Sequence, residues 1–347
     1  MKKIVIACDS YKGCLSSSEV SDAVAEGVSE AYPDCEVVRL AVADGGEGTV
    51  EALVDTLGGH LEWAEVSDPL GRPVRAAYGV AGDLAIIESA AACGLALLTN
   101  EERNPLIATT KGLGELILAA VDKGCRRFLI GLGGSATNDG GMGMIGVEGF
   151  LEKTRGLQFT IACDVDTPYI GRNGASRVFG PQKGASGQDV EVLEERLRGY
   201  ALKILEDTGI DVSDMPGAGA AGGLGGAFRA YLGAELKRGV DLVLDQIGFD
   251  SVIAGADLVI TGEGCSDYQT LKGKTAAGVL ERAERLNIPV ALVSGAVRDE
   301  KMLRDRGFRI VEAVTPPAMS LEEAMRPETA KRLVAVATRN ILHHFCI

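Results

Sequence analysis

Short apolar runs alternate along the chain with stretches whose apolar residues recur at helical spacing. Residues 3–7 form a β-branched run, and Ser16-x-x-Glu19 is a capping box ahead of Val20, Ala23, Val24, Val28 and Ala31. This predicts a strand followed by an amphipathic helix. "CEVVRLAVA" predicts a second strand, and the far end repeats the pattern: strands at 257–261, 289–294 and 308–314, helices near 274–286 and 299–306, and a last helix to about 345. Two strands from the start and three from the end, separated by helices, predict a five-stranded parallel sheet of doubly wound type. The expected fold class is α/β with two α/β domains. One is discontinuous, 1–64 with 245–347, around an inserted domain at 65–244. The insert is rich in glycine loops, with strands expected at "AIIES", "RRFLIGL", "FTIACDV" and "VDLVL" and a long helix near 188–207. A cleft between the domains is the default ligand site.

At 347 residues the chain exceeds the size at which one core keeps growing, which supports two domains. The net charge of −14 repels polyphosphate backbones and anionic membrane surfaces, so neither nucleic acid nor membrane is expected as a partner. No apolar run is long enough to span a bilayer, and the N-terminal apolar run is too short for a signal-peptide core. Eight scattered cysteines without a C-x-x-C pair point to neither a zinc ribbon nor a disulfide framework, and a cytoplasmic location is expected. With only His60, His343 and His344, acid–base work falls to carboxylates and lysines.

Open parallel sheets bind ligands at strand ends, and several strands here end in charged or glycine-rich loops. "CDSYKG" carries Asp9, Ser10 and Lys12, and "ADGGEGT" carries Asp44 and Glu47. Residues 258–278 resemble a phosphate loop, with Gly273-Lys274-Thr275 opening a helix after Glu263, Asp267 and Lys272. That motif needs a glycine five residues before Gly273, where Tyr268 stands, so this is not a P-loop. "GLGGSATNDGG" at 131–141 nominally matches a dinucleotide fingerprint, but Asn138-Asp139-Gly140-Gly141 breaks the helix that motif requires. Its glycines and hydroxyls can instead hold a phosphate or hydroxy acid. "PGAGAAGGLGG" at 216–226 is dense enough in small residues to let a nucleotide lie against backbone. Asp164 and Asp166, placed on one face of a strand end, are spaced to share a cation, and Lys183 and the Asp68/Arg72 turn are candidate anion holders.

Read in order, "CDSYKGCLSS", "VADGGEGTVEAL", "DPLGRPV", "RNPLIATTKGLGELI", "GLGGSATNDGGMGM", "ACDVDTP", "VFGPQKGA", "GAGAAGGLGGAF" and "DLVITGEGCSDYQTLKGK" resemble the bacterial glycerate kinase type-1 family over nearly the whole chain. The resemblance implies a flavodoxin-like domain, a second α/β domain, and transfer of the ATP γ-phosphoryl group to D-glycerate with Mg²⁺, which in that family most often gives 2-phosphoglycerate. Cys265 stands where that family commonly has arginine and Ser266 where it has an aliphatic residue, and the stretch between Gly146 and Phe159 is shorter than its pattern.

On this resemblance, Mg²⁺–ATP would lie against residues 131–141 and 217–226, through Gly133, Gly134, Ser135, Thr137, Gly219 and Gly222. Asp164, Asp166 and Glu263 would serve the metal. Lys12 and Lys183 would neutralise phosphate or carboxylate oxygens, with Asp9, Ser10, Arg72 and Asn138 at the substrate. Asp44, Asp139 and Asp267 are the alternatives for the base. The competing function is a non-catalytic hydroxy-acid or nucleotide sensor, motivated by Cys265, and a nicotinamide oxidoreductase ranks last.

Overall fold

The computed structural model describes residues 1–46, 48–271 and 273–345; Glu47, Lys272 and Cys346 lie outside the described residues. Its strands are β1 (Lys3–Cys8), β2 (Glu36–Ala41), β3 (His60–Ser67), β4 (Pro73–Ala81), β5 (Leu84–Glu88), β6 (Arg127–Gly131), β7 (Gln158–Ala162), β8 (Glu235–Lys237), β9 (Leu258–Gly262), β10 (Cys265–Ser266), β11 (Val290–Ser294), β12 (Ala296–Val297) and β13 (Ile310–Ala313). The chain divides into two compact units. The first holds Met1–Asp44, Asp55–Leu57 and the chain from Val240 on, and the second holds Gly45–Val54 and Gly58–Gly239.

The first unit is a five-stranded sheet in the order β2-β1-β9-β11-β13, parallel throughout. Numbered within the unit this is 2-1-3-4-5, the flavodoxin-like order. Period-2 alternation sends Ile4 and Ile6 to one face, where Val20, Val24 and Val28 of helix Ser17–Ala31 meet Val334 and Ile341 of helix Pro327–Phe345. The expected capping box closes the first helix: Glu19 N donates to Ser16 Oγ while Glu19 Oε2 accepts from Ser16 N. Gly27 lets the two helices touch, because a Cβ there would stand 2.5 Å from the Ala335 carbonyl oxygen.

The expected strand "VDLVL" is instead helix Gly239–Gln246. A short apolar run does not separate strand from helix. What separates them is Arg282, which reaches both Asp241 at 3.5 Å and Asp245 at 2.5 Å, residues that share a face only at helical spacing. Arg282 and Gly278, whose missing Cβ makes room for Val240, pin helix Thr275–Arg285 to this element.

The second unit is a six-stranded sheet in the order β3-β4-β5-β6-β7-β8, antiparallel across β3, β4 and β5 and parallel from β5 to β8. The hairpin β3–β4 pairs along the whole of β3, which is why 60–64 joins this unit rather than the first part of the chain. Helix Lys111–Asp122 buries Leu113, Leu116 and Ile117 in a core that includes Phe128 and Phe159, stacked at 4.7 Å between ring centroids. The long helix of the insert is Gly187–Thr208. Because β7 ends at Ala162, Asp164 and Asp166 stand in the following loop, not on a strand face.

Candidate active site

In a 2-1-3-4-5 sheet the chain direction of connection reverses between β1 and β9, and ligands bind at the carboxyl ends of those strands. Here those ends carry Asp9 and Glu263. Asp9 N donates to Gly262 O at 2.8 Å, tying the two loops together. The Asp9 carboxylate is 8% exposed and accepts from Ser10 N at 2.7 Å and from Thr275 Oγ1 at 2.6 Å. Burial pushes its pKa up to about 6 and the nearby Asp44 charge adds to the rise, against the opposing pull of Thr275, Ser10 and Lys12.

Glu263 is held just as closely. Its Oε1 accepts from Ser266 Oγ at 2.9 Å and Thr270 Oγ1 at 2.5 Å, and Lys274 Nζ lies 3.5 Å from Oε2. Ser266 also shares a hydrogen bond with Ser294 at 2.7 Å. Lys274 and Thr275 are positioned by the start of helix Thr275–Arg285, with Lys274 as its N-cap. Asp9, Ser10, Lys12, Asp44, Glu263 and Lys274 line one cavity of about 490 Å³ that lies wholly within the first unit, and Cys265 borders it. Asp267 is not in its lining. Its Oδ1 accepts from Gln269 N at 2.8 Å, closing its own turn, so the base role expected of Asp267 has no geometric support.

In the second unit the candidate groups are bonded inward. Asp139 accepts from Thr110 N at 2.8 Å, Thr110 Oγ1 at 3.0 Å, Thr109 Oγ1 at 3.3 Å, and Gly141 N and Gly143 N at 3.1 Å each. These donors clamp the 131–141 loop to the start of helix Lys111–Asp122 and occupy the carboxylate, which argues against the base role expected of Asp139. Arg72 forms ion pairs at 2.6 Å with both Asp68 and Glu102, so its guanidinium is already matched by two carboxylates and does not fit the expected role at a substrate carboxylate. Burial raises the Asp68 pKa, but hydrogen bonds from Arg72 and Leu70 outweigh it and hold the carboxyl below its usual range.

The glycines of 217–226 serve packing. Residues 221–223 have φ of 52°, 71° and 100°. A Cβ on Gly222 would stand 2.1 Å from Thr137 O, and one on Gly219 would stand 2.1 Å from Pro168 O. The backbone surface expected to accept a nucleotide at Gly219 and Gly222 is thus filled by the protein itself. In the other loop Gly134 takes a left-handed φ of 74°, while a Cβ on Gly133 would meet only Gly46 Cα at 3.7 Å. Lys183 is buried, donating to Ser135 Oγ at 3.0 Å and Thr137 O at 2.6 Å. Burial pushes its pKa down to about 8, opposed by Cys93 and Asp139. Asn138 is buried beside it, donating to Ser176 Oγ at 2.9 Å. After β6 no helix begins until Met142, so the dinucleotide fingerprint has no structural counterpart.

The sequence profile of the glycerate kinase family matches residues 4–151 and 144–346. The chain belongs to the glycerate kinase family. It is 43% identical to the glycerate kinase of Bacillus subtilis, across 93% of this chain and 92% of that protein. It is 42% identical to the glycerate 2-kinase of Escherichia coli, across 98% and 97%. A crystal structure from Salmonella typhimurium LT2, provisionally designated glycerate kinase 2, superposes with a TM-score of 0.88 at 41% identity, covering 100% of this chain and 98% of that one. The protein is a kinase of two-unit α/β fold. The alignment to the E. coli relative spans 370 positions against the 347 residues here, so the relative carries residues this chain lacks. The two matched segments overlap at 144–151, which runs into the stretch after Gly146 read from the sequence as short.

Magnesium in nucleotide sites takes one or two carboxylates, with phosphate oxygens and water completing the shell. Among the described residues no group of three or more His, Cys, Asp or Glu could hold a metal by itself, which is compatible with such shared coordination. Asp44, partly exposed in the cavity, fits that demand. Glu263 lines the same cavity, with hydroxyl donors and Lys274 around its oxygens. Asp164 Oδ1 accepts from Gly239 N at 2.9 Å. Thr275 and Thr270, which donate to the cavity carboxylates, and Ser294, which shares a hydrogen bond with Ser266 behind Glu263, were not among the residues expected from sequence; hydroxyls beside a Gly-Lys pair and at a strand end are the trace that Thr275 and Ser294 leave there.

Proposed function

We propose that this kinase phosphorylates D-glycerate with ATP and Mg²⁺, giving 2-phosphoglycerate. The observation that carries the reading is the cluster at the flavodoxin-like switch point, where Asp9, Asp44 and Glu263 meet Lys12 and Lys274 around one cavity. Phosphoryl transfer is mainly positioning and charge neutralisation, and this cluster supplies both. The C2 hydroxyl oxygen of glycerate forms the new bond to the γ-phosphorus, the bond from that phosphorus to the ADP oxygen breaks, and the hydroxyl proton passes to Asp9. Asp9 suits that role because its raised pKa brings it closer to the operating pH than an ordinary carboxylate. Thr275 Oγ1 and Ser10 N hold its orientation. Lys12 and Lys274 draw phosphate oxygens toward the cavity. Mg²⁺, held by Asp44, would supply charge neutralisation at the phosphates. Lys183, with Ser135, is the candidate for an anionic group at the second unit.

The test is ADP formation by a coupled assay with Mg²⁺ and D-glycerate, with NMR identification of the product. ADP formation dependent on glycerate, with 2-phosphoglycerate as product, supports the reading. 3-Phosphoglycerate would overturn the regiochemistry, and glycerate binding without ADP would favour the sensor reading.

A further inference from the structure

The cavity of the first unit is chemically divided. One end is the carboxylate and lysine cluster; the other is walled by Val314, Met319, Leu321, Ala324, Met325 and Ala330. The chain after β13 builds this wall. Val314 N donates to Ser294 O at 2.8 Å and Thr315 N to Gly295 O at 3.1 Å, which carries the segment along the end of β11. Ser320 then caps the short helix Leu321–Ala324. Met325 comes to rest on the loop after β1, where its carbonyl oxygen accepts from Cys14 Sγ at 3.2 Å. Its Cε lies 3.5 Å from the place a Gly13 Cβ would take.

Isolated exposed apolar side chains are ordinary. Here Leu321 is 72% exposed and Met325 37% exposed, and both belong to the same cavity wall as Met319. Glycerate, a carboxylate and two hydroxyls on three carbons, has no face to match such a wall. A purine has, and thioether sulfurs make favourable contacts with aromatic rings. The cavity volume of about 490 Å³ also lies in the range of small-molecule sites with mostly apolar walls and a few polar anchors. Among the described residues, the lysines of its lining are Lys12 and Lys274, which belong to the polar cluster.

We infer that the Met319–Met325 wall seats the purine base of the nucleotide, with the phosphates extended toward Lys12 and Lys274. The inference rests on the proposed function and moves the nucleotide from the loops at 131–141 and 217–226, the second of which is closed by its own packing, to the flavodoxin-like unit.

The experiment compares the wild type with the Met319→Ser/Leu321→Ser double variant, both positions being at least partly exposed, after circular dichroism has shown the fold retained. ADP and inorganic tripolyphosphate are titrated by calorimetry, and KM is measured for ATP and for glycerate. The expected result is ADP binding weakened about tenfold or more, with KM for ATP rising in parallel. Tripolyphosphate binding, which lacks a base, stays within about twofold, as does KM for glycerate. ADP binding unchanged in the variant, equal losses for ADP and tripolyphosphate, or no ADP binding by the wild type would each overturn the assignment. Because calorimetry needs no turnover, selective loss of ADP binding in a protein that never phosphorylates glycerate would sink the proposed glycerate phosphorylation and leave the purine seat standing.

Discussion

The strand-end loops of the two units are built from similar residues and put to different use. In the first unit Asp9, Asp44, Lys12 and Lys274 line one cavity, and Thr275 Oγ1 holds the Asp9 carboxylate there. In the second, Asp139 collects five donors, Arg72 is matched by two carboxylates, and Lys183 is buried against Ser135 and Thr137. Whether a charged loop residue is a candidate for chemistry therefore depends on whether the fold sets it on a cavity wall or packs it against its own backbone and ion-pair partners.

The sharpest break of this contrast is Asp9→Asn. Turnover should fall about 10²-fold or more, because an amide cannot take the hydroxyl proton; steady-state kinetics at saturating substrates would check it, and turnover near wild type would return the base role to Asp44. Next, Gly222→Ala should destabilise the protein by about 3 kcal/mol, since it combines a left-handed φ with a clash on the Thr137 carbonyl. Urea unfolding reads this directly. Retained stability would mean that the loop opens, as a nucleotide surface would need to.

Lys12→Ala should lower kcat/KM about tenfold, roughly 1.4 kcal/mol, by removing a cation from the cavity. A change under about threefold would show Lys12 to be misassigned. Arg72→Ala should leave turnover within about twofold while reducing stability by about 1 kcal/mol, since it strands the buried Asp68. A large rise in KM for glycerate would instead reinstate Arg72 at the substrate.

The last prediction is a pH dependence. Lys183 has a folded pKa of about 8 against an ordinary lysine value of 10.5, so between these limits the unfolded chain binds more protons. Stability from Lys183 should thus rise with pH across that window, and below about pH 8 its burial penalty is fully present. Lys183→Met should abolish the rise, as denaturant titrations at pH 8 and pH 10 would show.

Much of the fold was legible. β1, β2, β9, β11 and β13 are short β-branched or apolar runs flanked by turn residues and amphipathic helices, and their alternation leaves little choice but a parallel sheet. The exceptions are local ambiguities. "VDLVL" was settled as a helix by Arg282, which is remote in sequence, and the half-exposed β3 and three-residue β8 carry weak patterns. At the candidate site, Asp9, Lys12, Asp44 and Glu263 were legible because they follow apolar strands. The fates of Asp139 and Arg72 were not, since donors and partners such as Thr110 and Glu102 lie about 30 residues away.

The periodic part is thus readable from the chain alone: which segments are strands and helices, how they alternate, and which strand ends carry charge. These follow from backbone geometry and the burial of apolar side chains, which act over a few residues. Which of those charges line a cavity is set by long-range packing. A carboxylate's hydrogen-bond capacity is filled by whichever donors the fold brings near, as Thr275 reaches Asp9 from 266 residues away and raises no signal in either loop.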